Sequence, residues 1–495
     1  MKTLACVVAL CAVCCSAVSL SSPPAKAKEG SLSCVPAAQP FFSRAWESLS
    51  NVHLDDAREL FAQTLAVDPS CTLAWAHLGA LTPGASGRKM VDDAVAASAA
   101  LPEVERLQVQ ALAAQHRGDN EQALSLFRSA LVYAPDSYEL NFAVAQRAGV
   151  LRLWSEMVPA AQRATELAPG RGAGWNLLGY AYVGLKQHPQ AVLAFRHYAD
   201  VAPMEPNAHD SLGDALLANN ELEEARAAYQ RAIDSSGGSF WASGHGVATV
   251  CALQRDWFCA RAAIEKARRS APLLDDRLRL MEWTAWSYFA DAQPAEALRA
   301  LDELEQDARR ANLEARWADS KLLRARFMLN QGRYRDALTS LIVLGPQKYP
   351  TLDEGQRSAI EAARLHGIVE AQARLGNVGD AEKTLTQLRT LFQARPREVQ
   401  GLDAMAHARG LIALQRKDPT QAISAFMQCS EGYDACRLNL AEAQQAAGDP
   451  AEAARTRTLV STANHRDPEY WWVHVQAMKS RKDGPAATDE ARPAW

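Results

Sequence analysis

The chain has 495 residues, of which 48% are hydrophobic and 22% charged, a composition that excludes an extensively disordered or low-complexity protein. The formal net charge is −4 with no block of Lys and Arg, which argues against a partner built on a phosphate backbone, so no nucleic acid is expected. The length would hold several ordinary domains or one long repeat array, so internal repetition is the first question.

The chain opens "MKTLACVVALCAVCCSAVSLSSPPAKAKEG". Lys2 supplies a charged start, an apolar run follows from Leu4 to about Leu20, and Ala17, Ser19 and Ser22 are small enough to flank a cleavage site. The segment reads as a secretory signal peptide over 1–22 with a linker over 23–37. An uncleaved anchor is the alternative, since the run is only slightly short of the ~20 residues a span needs. None of Cys11, Cys14 and Cys15 sits in the Leu-small-small context of a lipoprotein signal. The expected location is therefore outside the cytoplasm, periplasmic or secreted, with no membrane span in the mature chain.

Further along, "WNLLGYAYVGLKQHPQAVLAFRHYADVAP" covers residues 175–203. Trp175, Leu178, Gly179 and Tyr182 are followed by Ala191, Phe195 and Pro203. Apolar residues recur at helical spacing, Gln187 to Pro189 supplies a turn, and Pro203 ends the second helix. The pattern resembles the tetratricopeptide repeat, W-x2-L-G-x2-Y then A-x3-F then P, at each of those positions. The small residue of the second helix can be followed through Ala57, Ala94, Ala123, Met157, Ala191, Ala225, Ala260, Ala297, Ala337, Ala381, Ala422 and Ala453. Met157, Ala191 and Ala225 stand 34 residues apart, and the interval widens to 44 between Ala337 and Ala381.

The resemblance implies an all-α fold, a right-handed α-solenoid of about twelve helix hairpins. A regular array is expected over 38–274, degenerate repeats over 275–475, and a polar C-terminal tail over 476–495. Over 275–400 a helical solenoid of another class is the alternative, because wider spacing suits longer helices.

Four of the ten cysteines fall in the expected signal peptide, leaving Cys34, Cys71, Cys251, Cys259, Cys429 and Cys436. Six cysteines allow 15 pairings, but Cys251 lies close to Cys259, and Cys429 close to Cys436. In the repeat frame both couples span turns between helices. Local disulfides are expected there, with Cys34 and Cys71 pinning the N-terminal edge to the second repeat. Six buried free thiols in a reducing compartment are the alternative.

The stretch "AHDSLGD", residues 208–214, places His209, Asp210 and Ser211 side by side. Adjacent helical residues point about 100° apart, so these three cannot form a catalytic triad among themselves. In the repeat frame His209 takes the packing place that Trp175 holds one repeat earlier. Beyond the expected signal peptide, where Cys11 and Cys14 have that spacing, no C-x-x-C occurs, and the chain has no H-E-x-x-H, G-x-S-x-G or phosphate-binding glycine loop. No metal, cofactor or catalytic residue is expected.

As the resemblance implies, first helices line the groove of such an array, and the groove receives an extended peptide or a partner helix. The groove positions are the fifth and ninth of each repeat: Asn176 and Tyr180, Asp210 and Asp214, His245 and Thr249, Glu282 and Trp286. Each pair is four residues apart and so shares a helical face. The row is polar and mildly acidic, suited to a basic or mixed peptide. It departs from the Lys and Asn clamp with which the family's best-known subgroup grips a C-terminal carboxylate. The expected function is a non-catalytic protein-binding scaffold. The alternatives are an enzyme whose site is assembled from several repeats, recognisable by converging shifted titratable groups, and a structural spacer.

Overall fold

A computed structural model of the chain describes residues 34–482, apart from 346–347, 394–398 and 431. The expected signal peptide, most of the linker, and residues 483–495 lie outside the described residues. Two compact units divide the chain, Met1–Ala215 and Leu216–Trp495. Among the described residues the secondary structure is helical, with no strand.

The first unit holds α1 (Gln39–Ser50), α2 (Leu54–Val67), α3 (Thr72–Leu81), α4 (Gly84–Ala97), α5 (Glu103–His116), α6 (Asn120–Tyr133), α7 (Tyr138–Val150), α8 (Trp154–Leu167), α9 (Gly172–Gly184) and α10 (His188–Val201). The chain passes into the second unit within α11 (Pro206–Ala218). There follow α12 (Leu222–Ser235), α13 (Ser243–Leu253), α14 (Trp257–Ser270), α15 (Leu274–Ala290), α16 (Pro294–Arg310), α17 (Glu314–Asn330), α18 (Tyr334–Val343), α19 (Glu354–Arg374) and α20 (Val378–Leu391). The unit ends with α21 (Val399–Gln415), α22 (Pro419–Phe426), α23 (Asp434–Ala446), α24 (Pro450–Ser461) and α25 (Pro468–Lys482). Odd-numbered helices are the first of each hairpin and even-numbered ones the second, and among the described residues α25 has no second helix after it.

One turn recurs between first and second helices. Lys186 adopts φ 60°, its N–H donates to the Val183 carbonyl, and the Gln187 N–H reaches back to the Tyr182 carbonyl at 2.9 Å. This left-handed cap satisfies the carbonyls that a helix end otherwise leaves unpaired. The same conformation is found at Val52, Gly118, Arg152, Asn220, Arg255, Ala292, Gly332, Gly376, Lys417 and Gly448. At several turns the next residue is an aspartate that caps the second helix. Asp119, Asp256, Asp418 and Asp449 each accept from the backbone N–H three residues on, a contact worth about 1 kcal/mol.

Size alternation then sets the spacing within a hairpin. A Cβ on Gly179 would lie 2.5 Å from the Phe195 ring, and one on Gly410 would lie 2.3 Å from that of Phe426, so the backbone of each first helix rests directly on an aromatic of the second. The small residues followed through the sequence are all buried. In eleven hairpins that residue is the fourth of the second helix. The second hairpin differs: Gly87, not Ala94, is the fourth residue of α4. The two stand seven residues, or two helical turns, apart on the same buried face, so periodicity alone does not separate them.

A further contact ties each of several first helices to the end of the preceding repeat. Trp75, Trp175 and Asn141 donate from their side chains to the carbonyls of Pro69, Pro169 and Pro135, at 3.0, 2.9 and 3.0 Å. His209 does the same through Nε2 to the Pro203 carbonyl at 2.9 Å. His209 therefore occupies the tryptophan place, as its position in the repeat frame implied.

The wider spacing in the second half comes from longer helices. The helices α15, α16 and α17 have 17 residues each and α19 has 21, against 13 and 14 for α9 and α10. At the C-terminus the helix α25 continues through Lys482, past residue 476, with Ala477 buried. The six cysteines meet in the expected couples at disulfide distance. Their Cα atoms are 4.4 Å apart for Cys34 and Cys71, 5.7 Å for Cys251 and Cys259, and 6.6 Å for Cys429 and Cys436, all within the range a disulfide spans.

Candidate functional site

In the first unit the positions expected to line a groove form a polar row on α9 and α11. Asn176, Tyr180, Asp210 and Asp214 are all half-buried. The hydroxyls of Tyr180 and Ser211 lie 3.2 Å apart, and Ser211 Oγ stands 3.5 Å from Asn176 Oδ1. Ser211 thus joins neighbouring first helices and holds Asn176 and Tyr180 in register. Tyr180 is fixed from behind by an edge contact to Phe195, with ring centroids 5.2 Å apart. Asp210 and Asp214 share one face of α11, one turn apart. Ser211, read in sequence as a serine lacking a base, is the residue of this row that spacing did not single out.

In the second unit His245 and Trp286 stand in aromatic clusters that α25 joins. His245 stacks on Trp283 at 4.1 Å between centroids, and Trp283 meets Trp471 of α25 edge-on at 5.3 Å. Thr249 is fully buried. Trp286 is buried against Phe289 and Phe327, in a cluster on which Trp472 of α25 also packs. Glu282 lies 3.5 Å from Arg316, whose guanidinium makes its closest contacts with both oxygens of Asp275, at 2.6 and 2.8 Å. Spacing placed these four residues on first-helix faces. What lies over those faces depends on α25, some two hundred residues away in sequence.

Farther along the same unit, first helices carry a buried polar network that the sequence did not announce. Arg326 on α17 donates to Glu370 on α19 at 2.7 Å and lies 3.7 Å from Glu469 on α25. His366 Nε2 and His407 Nδ1 are 2.9 Å apart, and His407 Nε2 lies 2.8 Å from Asn439 Nδ2. Arg374 donates to Asn439 Oδ1 at 2.6 Å and to both oxygens of Glu442.

The proton positions in this chain follow from its end. A guanidinium only donates, so Asn439 Oδ1 must accept from Arg374 and Nδ2 must donate to His407. His407 then accepts at Nε2, carries its proton on Nδ1, and donates to His366 Nε2. Both imidazoles are thereby neutral. Burial is the main cause that brings His366 down to about 4 from its ordinary 6.5 and His407 well below it, with nearby Arg326 acting in the same direction on both. Burial would raise Glu370, but Arg326 beside it prevails and holds its carboxyl at about 2. Burial pushes the hydroxyl of Tyr433, whose ring packs beside both imidazoles, well up. Arg326, Glu370, His366, His407 and Asn439 use one another as partners, and with Arg374 and Glu442 they tie four first helices together.

Among the described residues no cluster of three or more His, Cys, Asp or Glu could hold a metal ion, and no helix is long and apolar enough to cross a membrane.

The sequence model of a family described as Tetratricopeptide repeat matches residues 176–240. No curated protein matches the chain. Solved structures similar to part of it include PilW, a widely conserved type IV pilus biogenesis factor, with 17% identity and a TM-score of 0.36 over 41% of this chain and 92% of that one. Another is a thermophilic tetratricopeptide-repeat protein of Thermus thermophilus, with 21% identity and a TM-score of 0.30 over 36% and 96%. A third is YrrB, a tetratricopeptide-repeat protein with an unusual peptide-binding site, with 15% identity and a TM-score of 0.29 over 36% and 90%. The matched segment contains the Asp210 and Asp214 row, and the left-handed turn and small fourth residue of the second helix recur on both sides of it. Among the described residues the chain is all-α and built of helix hairpins, and within it residues 176–240 match the tetratricopeptide repeat.

Proposed function

We propose that the chain is a non-catalytic protein-interaction scaffold, exported to the periplasm or secreted, that binds a basic or mixed peptide on the first-helix face of its first unit. One observation carries this reading. Ser211 on α11 meets both Asn176 and Tyr180 of α9, so acceptors and an aromatic are held in place beside the carboxylates of Asp210 and Asp214. A row fixed before binding loses less entropy when it meets a ligand. Carboxylates one turn apart favour a cationic segment and disfavour an acidic one. Tetratricopeptide-repeat proteins are generally non-catalytic interaction scaffolds, which agrees with this use of the fold.

Export is supported by the apolar N-terminal segment and by three cysteine couples at disulfide distance, since such couples persist where the surroundings are oxidising. Alkylation of the native protein with and without prior reduction reads their state in its own compartment.

The binding test compares the wild-type chain with an Asp210→Ala, Asp214→Ala double variant on an array of basic, neutral and acidic peptides. The wild type is expected to retain basic peptides that the variant releases. Equal retention of every class by both proteins sinks the assignment of this row.

A further inference from the structure

We propose that the first-helix face of the second unit, where α25 now rests, is a binding site for a partner helix that carries two adjacent aromatic residues, an acidic residue just before them, and a hydrogen-bonding side chain one turn after. The proposal rests on the scaffold reading but places a separate site in the other unit.

The helix α25 defines the shape of the ligand. Trp471 enters against Trp283, Trp472 packs on the cluster of Trp286, Phe289 and Phe327, and Glu469 faces Arg326 at 3.7 Å. Buried aromatic anchors with one charge that sets register are the usual elements of a helix held in a groove. Here the groove is made of α13, α15 and α17, and the ligand belongs to the same chain.

The fit is incomplete in one place. Trp471 Nε1, Thr249 Oγ1 and His245 Nε2 are all shut off from water along this seam without a hydrogen-bond partner among the described residues. A buried polar atom left unmade weakens whatever buries it. Val475, one turn after Trp471 in the same cluster, is the residue of α25 that presents only methyl groups to this region. A ligand with an amide there would bring a donor and an acceptor to this cluster, which the valine side chain lacks.

The connection permits exchange. Among the described residues α25 has no second helix. Its other face packs Val473 and Ala477 on Val460 of α24, and Tyr470 accepts from the Asn464 N–H and donates to the Val460 carbonyl. The strap before it has further anchors of its own. Asn464 donates to Asn220 at 2.9 Å and Arg466 to the Ala242 carbonyl at 2.6 Å. Release of α25 therefore breaks the Tyr470 bonds and its packing on α24, and leaves the Asn220 and Ala242 contacts to hold the strap.

Three measurements on the full chain test this. Hydrogen exchange of the wild type is expected to show α25 amides opening at least about tenfold faster than those of α13 and α15, because local release needs less than global unfolding. Protection equal to that of α13 and α15 overturns the proposal, and this reading does not depend on any variant folding. A labelled peptide of residues 467–482 is expected to bind a Trp471→Ala, Trp472→Ala chain at least about tenfold more tightly than the wild type, whose site is filled. Failure of the peptide to bind a variant that keeps its helical content and cooperative melt overturns it.

The same peptide with Val475→Gln is expected to bind about threefold or more tighter than one with Val475→Leu. Equal binding removes the polar part of the proposed ligand. The Asp210→Ala, Asp214→Ala chain is expected to behave as wild type in all three measurements, so failure here with the acidic row still selective counts against this site alone.

Discussion

Asn439 donates through Nδ2 to His407 Nε2 at 2.8 Å, and this contact sets the proton position on two buried imidazoles. Asn439→Ala leaves His407 Nε2 buried without a donor, at a cost of about 1–3 kcal/mol in chemical denaturation. Asn439→Asp keeps the Arg374 contact but offers His407 only an acceptor. His407 must then carry a proton on Nε2, and the ring nitrogen signals seen by NMR should show the exchanged tautomer. An unchanged tautomer in the aspartate variant refutes the order of donation.

Neutral buried histidines also make a prediction about acid. His77 and His366 are held at about 4 and His245 at about 3, each mainly by burial and each below the ordinary 6.5. Such a group takes up protons on unfolding, so its stabilisation is complete above about pH 6.5 and is lost as the pH falls from there toward the folded value. Glu370, held at about 2, behaves as a depressed carboxylate whose contribution persists until the pH drops below about 4.5. The melting temperature should therefore be level from pH 7 to 8, fall between about 6.5 and 4, and fall again below that as Glu370 is protonated. A His366→Asn, His407→Asn variant should lose part of the first fall. A melting temperature unchanged between pH 7 and 4.5 contradicts the burial of these rings.

The distance between sequence and structure differs sharply between the two faces of the repeat. Contacts inside a hairpin involve residues less than twenty apart, and there Gly179, Phe195 and the couple Cys251 with Cys259 could be placed from spacing. The turn expected from Gln187 to Pro189 lies slightly earlier, with Lys186 in the left-handed cap and His188 already opening α10. What covers a first helix is another matter. Asn464 meets Asn220 and Arg466 meets Ala242 across more than two hundred residues, and no local pattern encodes which distant helix arrives. For the same reason His245 and Trp286 carried no mark that distinguished them from Asn176 and Tyr180. The network of Arg326, Glu370, His366, His407 and Asn439 draws on separate repeats at intervals of 41 and 44 residues among its contacts, outside the regular period, so single histidines there looked scattered.

Gly179 rests on the Phe195 ring with no room for a methyl group. Gly179→Ala should cost about 1–3 kcal/mol by overpacking. Phe195→Leu opens space beneath it, so the double variant should be more stable than the sum of the two losses implies. A coupling below about 0.5 kcal/mol would mean that the hairpin adjusts elsewhere.

The three cysteine couples should not contribute equally. Cys34 and Cys71 are separated by 37 residues, Cys251 and Cys259 by 8, and Cys429 and Cys436 by 7. In the chain-entropy account the first closes a loop worth about 4 kcal/mol and the others about 2.5 each. Replacing Cys34 and Cys71 together by alanine should lower the melting temperature more than replacing either short couple. The comparison of oxidised and reduced wild type gives the sum against which the three are checked.

His209 donates to the Pro203 carbonyl from the place that Trp175 and Trp75 fill in other repeats. If that bond and the ring's bulk are its whole contribution, His209→Trp should be tolerated, because an indole N–H reaches the same carbonyl and only donates. His209→Ala should cost about 2–4 kcal/mol, from the lost packing of a buried ring and an unmet carbonyl. His209→Phe separates the two effects, since it fills much of the space but cannot donate. It should fall between Ala and Trp by about the 1–3 kcal/mol of the unmade bond. Peptide selection by the Asp210 and Asp214 row should be the same in the Trp variant as in the wild type, because the inward ring supports α11 without facing the ligand. Loss of selection in a fully stable His209→Trp chain would show that the imidazole itself takes part in binding.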